Sequence, residues 1–302
     1  MRYSVVDIGT NSIRHLICDV TDYKLFKIKK EVKTTRIGEG LAKNGRLSSD
    51  AIKRSIEAIK TYMEDAKKFN VDMIYAFATS AIRDAKNADV FIDELSNIGI
   101  DFDVIDGEKE SLYGYLGALR GLNKDSGLVI DIGGGSTEFA YKGKGLTANS
   151  FDIGAVRLTE KFIKNDPPTL EEYNSIRNYI IDMLSTFINN IKRVPENIIG
   201  IGGTITSLAA VSQELKIYSS DKVHGYILNR TEIKRLLDIF MSKNKDERKM
   251  IFGLQEGRAD IIIAGTVILL TSLELLNISS ITVSEWDNLE GYIINKINST
   301  TE

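Results

Sequence analysis

Asp131 and Glu138 flank three consecutive glycines, Gly133, Gly134 and Gly135, and the hydroxyl residues Ser136 and Thr137, in the stretch VIDIGGGSTEF. Each residue type has a chemical use. Glycines let the backbone approach a ligand closely and reach positive φ, and successive N–H groups in such a turn form a concavity that receives an anion. Ser136 and Thr137 add hydroxyl donors. Two nearby carboxylates beside a phosphate cradle suit Mg²⁺, which takes oxygen ligands and keeps several waters. The stretch reads as a phosphate cradle whose carboxylates hold a metal or orient an attacking water. The plain structural alternative is a tight β-hairpin with a glycine bend and a buried aspartate. It is neither a Walker loop nor a GxGxxG turn entering a helix.

Two further stretches carry related chemistry. In ATSAIRDAKNAD, residues 78–89, Thr79, Ser80 and Arg83 follow the end of a strand. Two hydroxyls and a guanidinium there make a second anion-binding cluster, although an arginine after a strand is by itself most often a solvated charge. In VIDGEKESLYGYLGA, residues 104–118, Asp106-Gly107 closes a strand and Glu108 and Glu110 open a helix. Acidic residues favour a first helical turn through the macrodipole. A glutamate at such a turn also serves as a general base for water when the turn faces a cleft. His15 and His224 stand alone, and no Cys/His spacing suggests zinc. The run Lys24, Lys27, Lys29, Lys30, Lys33 and Arg36 reads as a solvated strand face, or as a surface that gathers a long polyanion.

These groups must be positioned by alternating strands and helices. Strands are expected over 2–8, 14–20, 24–33, 73–78 and 100–106. Ser48 or Ser49 caps a helix whose apolar stripe is Ile52, Ile56, Ile59, Met63 and Ala66. Further helices are expected over 87–95 and 108–122. Such alternation implies a mainly parallel sheet with helices on its faces. The pattern breaks at Asn123-Lys124-Asp125-Ser126-Gly127 and restarts with strand, glycine turn and strand. A long helix over about 169–192, the strand NIIGI, a helix near Ile205, helices from about Thr231 and Arg258, the strand SITVS and a last helix from about Leu289 complete the chain. Asp7-Ile8-Gly9-Thr10-Asn11-Ser12 and Asp131-Ile132-Gly133-Gly134-Gly135-Ser136 share Asp-Ile-Gly-x-x-Ser, and each opens one half. The expectation is two similarly built α/β domains, 1–123 and 124–302, facing each other across a cleft, with the last helix packing back on the first domain.

Composition narrows the class. The 302 residues carry a formal net charge of −3, which gives no reason to expect a nucleic-acid partner. One cysteine, Cys18, permits no intramolecular disulfide and agrees with a cytoplasmic protein. The N-terminal MRYSVVDIGTNS has neither the apolar core nor the cleavage site of a signal peptide. The apolar run over 261–273 is shorter than the ~20 residues of a membrane span and reads as a buried helix.

Together the motifs resemble the exopolyphosphatase / guanosine pentaphosphate phosphohydrolase (Ppx/GppA) family. DIGTNSIR, ATSAIRDAKN, IDGEKES, VIDIGGGSTEF, FDIGAVRLTEKF, GIGGTITS and ERKMIFGLQEGRAD leading to VSEWDNLEGYI occur in family order across nearly the whole chain. The resemblance implies two actin-like (ribonuclease H-like) domains in the short form, without the C-terminal helical domain of long members. It implies Mg²⁺-dependent hydrolysis of the terminal phosphoanhydride of inorganic polyphosphate or of guanosine pentaphosphate, no membrane partner, and a homodimer. It assigns Glu110 as general base, and Asp131 and Glu138 as metal-binding or water-orienting carboxylates. The phosphate cradle becomes Gly133, Gly134, Gly135, Ser136 and Thr137. Asn11, Ser12 and Arg83 bind phosphate from the facing domain, and Arg14 and Arg258 reach the substrate. The chain departs from the family where Lys109 replaces the first of two glutamates, Ser111 an alanine and Thr10 a serine. A lysine beside the base lowers a carboxylate's pKa unless it points outward along the helix. Two other functions compete. One is an actin-like ATPase or kinase holding adenosine at Gly202-Gly203-Thr204, against which the Glu110 segment argues. The other is a sensor that holds guanosine tetraphosphate or polyphosphate without turnover, which Lys109 leaves open.

Overall fold

A computed structural model describes residues 1–98, 100, 102–143 and 145–299. Two compact units emerge, Met1–Gly117 together with the C-terminal segment from Asn288, and Ala118–Asp287. The first unit begins with β1 (Arg2–Ile8), β2 (Ser12–Thr21) and β3 (Lys24–Thr34). A short α1 (Leu41–Asn44), then α2 (Ser49–Lys68), β4 (Met73–Ala78), α3 (Ser80–Asp84), α4 (Ala88–Asn97), β5 (Asp103–Val104) and α5 (Gly107–Gly121) follow. The division between the units falls within α5. Its sheet has the order β3-β2-β1-β4-β5. β1, β2 and β3 are antiparallel neighbours, while β4 and β5 continue parallel to β1.

Helices cover both faces of this sheet because successive strand side chains point to opposite sides. Val6 and Ile8 of β1 join Ile52, Ile56 and Ile59 of α2 in one cluster, as the four-and-three spacing of that helix requires. Ser48 caps α2, its side chain accepting from the Ala51 N–H at 3.2 Å. Val5 belongs to the other face, with Leu16, Cys18, Phe77 and Tyr113. Of the strand expected over 100–106, only Asp103 and Val104 pair, with Phe77 and Ala78; Asp101 lies outside the described residues.

The second unit contains β6 (Leu128–Ile132), β7 (Thr137–Lys142), β8 (Leu146–Phe151), α6 (Ala155–Phe162), α7 (Leu170–Asn189), β9 (Ile198–Ile201) and α8 (Gly203–Ser212). After these come α9 (Ser220–Val223), β10 (Ile227–Asn229), α10 (Arg230–Met241), α11 (Lys245–Lys249), α12 (Ile262–Leu275) and β11 (Ser280–Val283). Its sheet runs β10-β11-β9-β6-β7-β8. β7 and β8 are antiparallel on one side of β6, and β9 and β11 are parallel on the other. Apart from the extra antiparallel strand β10, this is the order and direction of the first sheet. The duplicated Asp-Ile-Gly-x-x-Ser strings therefore mark two α/β units of actin-like, ribonuclease H-like build.

The last helix, α13 (Asn288–Ser299), belongs to the first unit. Leu289, Tyr292 and Ile293 pack with Val5, Phe77 and Tyr113; residues 300–302 of the expected helix lie outside the described residues. Glu290 is fully buried and is held by Lys27 at 2.9 Å and Lys30 at 3.0 Å. Lys29 pairs with Asp65 at 2.7 Å. These lysines of the basic run pair within the first unit, while β3 as a whole stays largely exposed, as expected of a solvated strand face.

Other departures have local causes. β8 was not expected, because it is an edge strand with no fully buried residue and so no apolar alternation. The short elements α9, β10 and α11 also lack a readable period, whereas the eight-residue α6 is amphipathic, burying Ala155, Val156 and Leu158, and was missed. Arg258 sits in a single 3₁₀ turn, Glu256–Arg258, ahead of α12. α12 itself is buried over Ile262–Leu273, as an all-round apolar helix must be. Among the described residues no helix is long and apolar enough to cross a membrane.

Candidate active site

In the first unit the β1–β2 turn closes through the Gly9 N–H, which donates to the Ser12 carbonyl at 3.2 Å. Asn11 and Ser12 are buried there, and Asn11 Nδ2 donates to Ser12 Oγ at 3.1 Å. Thr10 Oγ1 meets Ser80 Oγ at 2.9 Å, which ties the turn to the start of α3. Arg83, in the last turn of α3, donates from Nη1 to the Ile105 carbonyl at 3.1 Å and stands 3.6 Å from Glu110 Oε2. A continuous set of contacts therefore joins the turn, the α3 hydroxyls, Arg83 and Glu110 within one unit.

Glu110 owes its place to the start of α5. Asp106 accepts the Lys109 N–H at 2.8 Å, and the Glu110 N–H donates to the Asp106 carbonyl at 3.0 Å. Glu110 is 8% exposed, whereas Lys109 is exposed. Consecutive helical residues point about 100° apart, so the lysine that replaces the family glutamate lies on the outer side of the turn. Ser111 is also buried, and among the described residues its Oγ has no hydrogen-bond partner.

Arg14 and Asp7 are cross-strand neighbours, and Arg14 Nε donates to Asp7 Oδ2 at 2.9 Å. In the second unit the same two hairpin positions hold Asp131 and Glu138. Duplication thus gives an ion pair in one hairpin and two carboxylates in the other. Both acids are buried, and Ser150 Oγ donates to Glu138 Oε1 at 2.7 Å.

The glycine turn of the second unit repeats the closure of the first, the Gly133 N–H donating to the Ser136 carbonyl at 3.0 Å. Its carbonyls all face one way. That of Gly133 accepts from the Ala155 N–H at 3.0 Å, and that of Gly134 from Val156 at 2.9 Å and Arg157 at 3.1 Å. The Gly135 carbonyl accepts from Arg157 Nε at 2.7 Å. In a planar trans peptide the next N–H points opposite to the carbonyl. The N–H groups of Gly134, Gly135 and Ser136 therefore point away from α6, as an anion-receiving concavity requires.

The expectation that these glycines reach positive φ is not met, since none of the three is in the left-handed region. The glycine that close packing demands here is Gly154, on which a Cβ would collide with the Gly134 carbonyl and Gly135. Thr137 also differs from expectation. It is fully buried and its hydroxyl donates to the Ile153 carbonyl, so it fastens the loop rather than offering a donor.

Two glycines that the sequence offered only for the kinase alternative also belong to this half. Gly202 has φ 88°, and a Cβ there would lie 2.5 Å from Asp131 Oδ1 and 2.7 Å from the Ile132 carbonyl. Gly203 opens α8, and a Cβ on it would fall inside the guanidinium of Arg258. Arg258 thus lies over the N-terminus of α8, steadied by Gln255 Oε1 at 3.2 Å. The second unit brings Asp131, the glycine turn, Gly202-Gly203 and Arg258 together. The Gly-Gly pair between a strand and a helix was the readable sign. His224 is structural: its Nε2 donates to the Gly121 carbonyl at 3.0 Å and its Nδ1 accepts the Glu285 N–H at 3.1 Å.

The arrangement suits phosphate and a hard cation. Asp131 and Glu138 supply an all-oxygen donor set at a cross-strand distance, and Mg²⁺ is held by one or two carboxylates plus waters and phosphate oxygens. Among the described residues no group of three or more His, Cys, Asp or Glu is placed to hold a metal, so a cation beside these two carboxylates would draw its remaining ligands from water and phosphate oxygens.

Known proteins give the same picture. The chain is 32% identical to exopolyphosphatase 2 of Mycobacterium tuberculosis over 308 residues, covering 96% of this chain and 97% of that protein. It is 36% identical over 306 residues to the bifunctional 3-dehydroquinate synthase/phosphatase of Fusobacterium nucleatum, covering 96% of this chain but spanning 46% of the relative's length. The crystal structure of the Aquifex aeolicus Ppx/GppA family member is 35% identical with a TM-score of 0.83, over 100% of this chain and 99% of that one. An exopolyphosphatase structure from Cytophaga hutchinsonii is 28% identical with a TM-score of 0.91, over 99% of this chain and 98% of that one. With residues 16–300 matching the family as well, the chain belongs to the Ppx/GppA phosphatase family.

Proposed function

We propose that the protein is a cytoplasmic, Mg²⁺-dependent phosphoanhydride hydrolase that removes the terminal phosphate of inorganic polyphosphate or the 5′-γ-phosphate of guanosine pentaphosphate. The observation that carries this reading is the one-sided glycine turn. Its three carbonyls are engaged by α6 and Arg157, which leaves the opposite N–H face for phosphate oxygens next to Asp131 and Glu138. Relatives support the substrate class, since curated ones are named exopolyphosphatase and guanosine-5′-triphosphate,3′-diphosphate pyrophosphatase.

The residues divide the work by chemistry. The N–H groups of Gly134, Gly135 and Ser136 bind non-bridging oxygens, and Arg258 adds a planar fork of donors at the start of α8. Asp131 and Glu138 would hold Mg²⁺, which when bound supplies positive charge against phosphoryl oxygens. Glu110 accepts the proton of the attacking water at a carboxylate oxygen, and Arg83 fixes that carboxylate. In-line displacement at phosphorus needs little covalent help beyond such positioning and charge stabilisation.

The test is Glu110→Ala, assayed for phosphate release from long-chain polyphosphate and from guanosine pentaphosphate. Loss of a general base is expected to lower the rate about 10²- to 10⁴-fold. Release at the wild-type rate on both substrates refutes the assignment. Comparing the two substrates side by side also decides which one the enzyme prefers.

A further inference from the structure

We infer that the second unit carries a further anion-binding site, for a compact phosphate oxyanion, in the groove between α7, α10 and α12. The groove encloses about 500 Å³ and is lined by Arg177, Arg230, Thr231, Lys234, Leu270 and Glu274. Three cations face one carboxylate. Glu274 is taken by Arg177 at 3.1 Å. Among the described residues, neither Arg230 nor Lys234 has a carboxylate within ion-pair distance.

Arg230 and Lys234 lie one helical turn apart, so they share one side of α10. Leu270 and Glu274 repeat this spacing on α12, and buried Leu270 gives the groove an apolar wall. α10 begins at the groove. Its N-cap, Asn229, makes no side-chain cap hydrogen bond, and the Arg230 N–H is engaged by the Ser279 carbonyl at 2.8 Å. The first-turn N–H groups that follow open beside Thr231. Guanidinium, ammonium, hydroxyl and helix start together are the chemistry of phosphate recognition.

This groove is separate from the glycine turn. β10 runs antiparallel to β11, and its last residue, Asn229, pairs with Ser280, the first residue of β11. Asp131 and Gly202 stand at the far ends of β6 and β9, which run parallel to β11 through the sheet. The two sites therefore occupy opposite ends of one sheet, and the second does not depend on the proposed chemistry of the first. A free phosphate anion and a distant stretch of a long polyphosphate present the same oxygens to it.

The experiment is calorimetric titration of the full chain with inorganic pyrophosphate and, separately, long-chain polyphosphate. Wild type, Arg258→Gln and the double variant Arg230→Gln/Lys234→Gln are compared. Losing two charge-assisted contacts is expected to weaken one class of pyrophosphate binding by about tenfold or more in the double variant, while Arg258→Gln leaves that class intact. A larger loss for polyphosphate than for pyrophosphate identifies a chain segment as the occupant; equal losses identify a free anion. Unchanged affinity and stoichiometry in the double variant overturn the inference, as does abolition of all pyrophosphate binding by Arg258→Gln. Should the double variant misfold, Lys234→Gln alone, at an exposed position on α10, is expected to weaken the same class about threefold, and no change there counts against the site.

Discussion

Replacing Gly203 by alanine separates the stability of the fold from the working geometry of the site. The new methyl group would occupy the space of the Arg258 Nη1, Nη2 and Cζ atoms. Those atoms end a flexible side chain, so the guanidinium swings away and the backbone stays. Alanine in a first helical turn is better than glycine by up to about 1 kcal/mol, which offsets the displaced contact. Folding stability is therefore expected to change by less than about 0.5 kcal/mol. Function should suffer, because Arg258 leaves the N-terminus of α8. A hydrogen bond to a charged group contributes about 1.5–3 kcal/mol, which at 1.4 kcal/mol per decade is roughly a 10- to 100-fold loss. The assay is kcat/KM for phosphate release, together with urea unfolding of the same preparations. Arg258→Ala should cost a similar factor, and the double variant should add little, since both changes remove one contact. Full kcat/KM in Gly203→Ala, or losses that add, refute the placement of Arg258. The neighbouring Gly202→Ala behaves differently. It forces a side chain into φ 88° against Asp131 and backbone atoms of Ile132, and should destabilise by about 1–3 kcal/mol.

Three further outcomes follow from named contacts. Glu290→Gln removes a fully buried charge shared by Lys27 and Lys30; a loss of about 3 kcal/mol is expected in denaturant titration, and an unchanged midpoint would show the pair to be incidental. Burial holds the His15 imidazole down to about 4 from 6.5, with Ser4 Oγ on its Nε2 at 2.8 Å and Tyr62 stacked at 4.6 Å. The unfolded chain takes up the proton first, so the contribution of about 3 kcal/mol is complete above pH 6.5 and is lost as pH falls towards 4; His15→Gln should flatten that part of the pH–stability curve. Chelation should abolish phosphate release and added Mg²⁺ restore it, while Asp131→Asn and Glu138→Gln should raise the Mg²⁺ needed for half-maximal rate by at least about tenfold; chelator-resistant turnover would remove the metal assignment.

Lys109 and the basic run show how tertiary placement resolves readings that sequence leaves open. Lys109 threatened the neighbouring base, yet the helical rotation between consecutive residues leaves it exposed while Glu110 is buried. Lys27 and Lys30 resemble a solvated strand until α13 returns Glu290 to the first unit, a meeting between residues far apart in the chain. The kinase alternative named Gly202-Gly203-Thr204, beside which the structure brings Asp131 and Arg258.

The sequence alone determined what depends on local pattern. The α2 stripe, a serine cap at 48 or 49, the buried run of α12 and the two Asp-Ile-Gly hairpins are set by periodicity and by residue type within a few positions. The family was legible because its motifs are contiguous strings. Tertiary structure alone decided what depends on direction and on distant partners. It turned the Gly133–Gly135 carbonyls onto α6 and Arg157, committed the Thr137 hydroxyl to Ile153 and laid Arg258 over Gly203. Peptide-plane orientation and contacts across long loops are fixed only when the core closes, so no spacing along the chain records them.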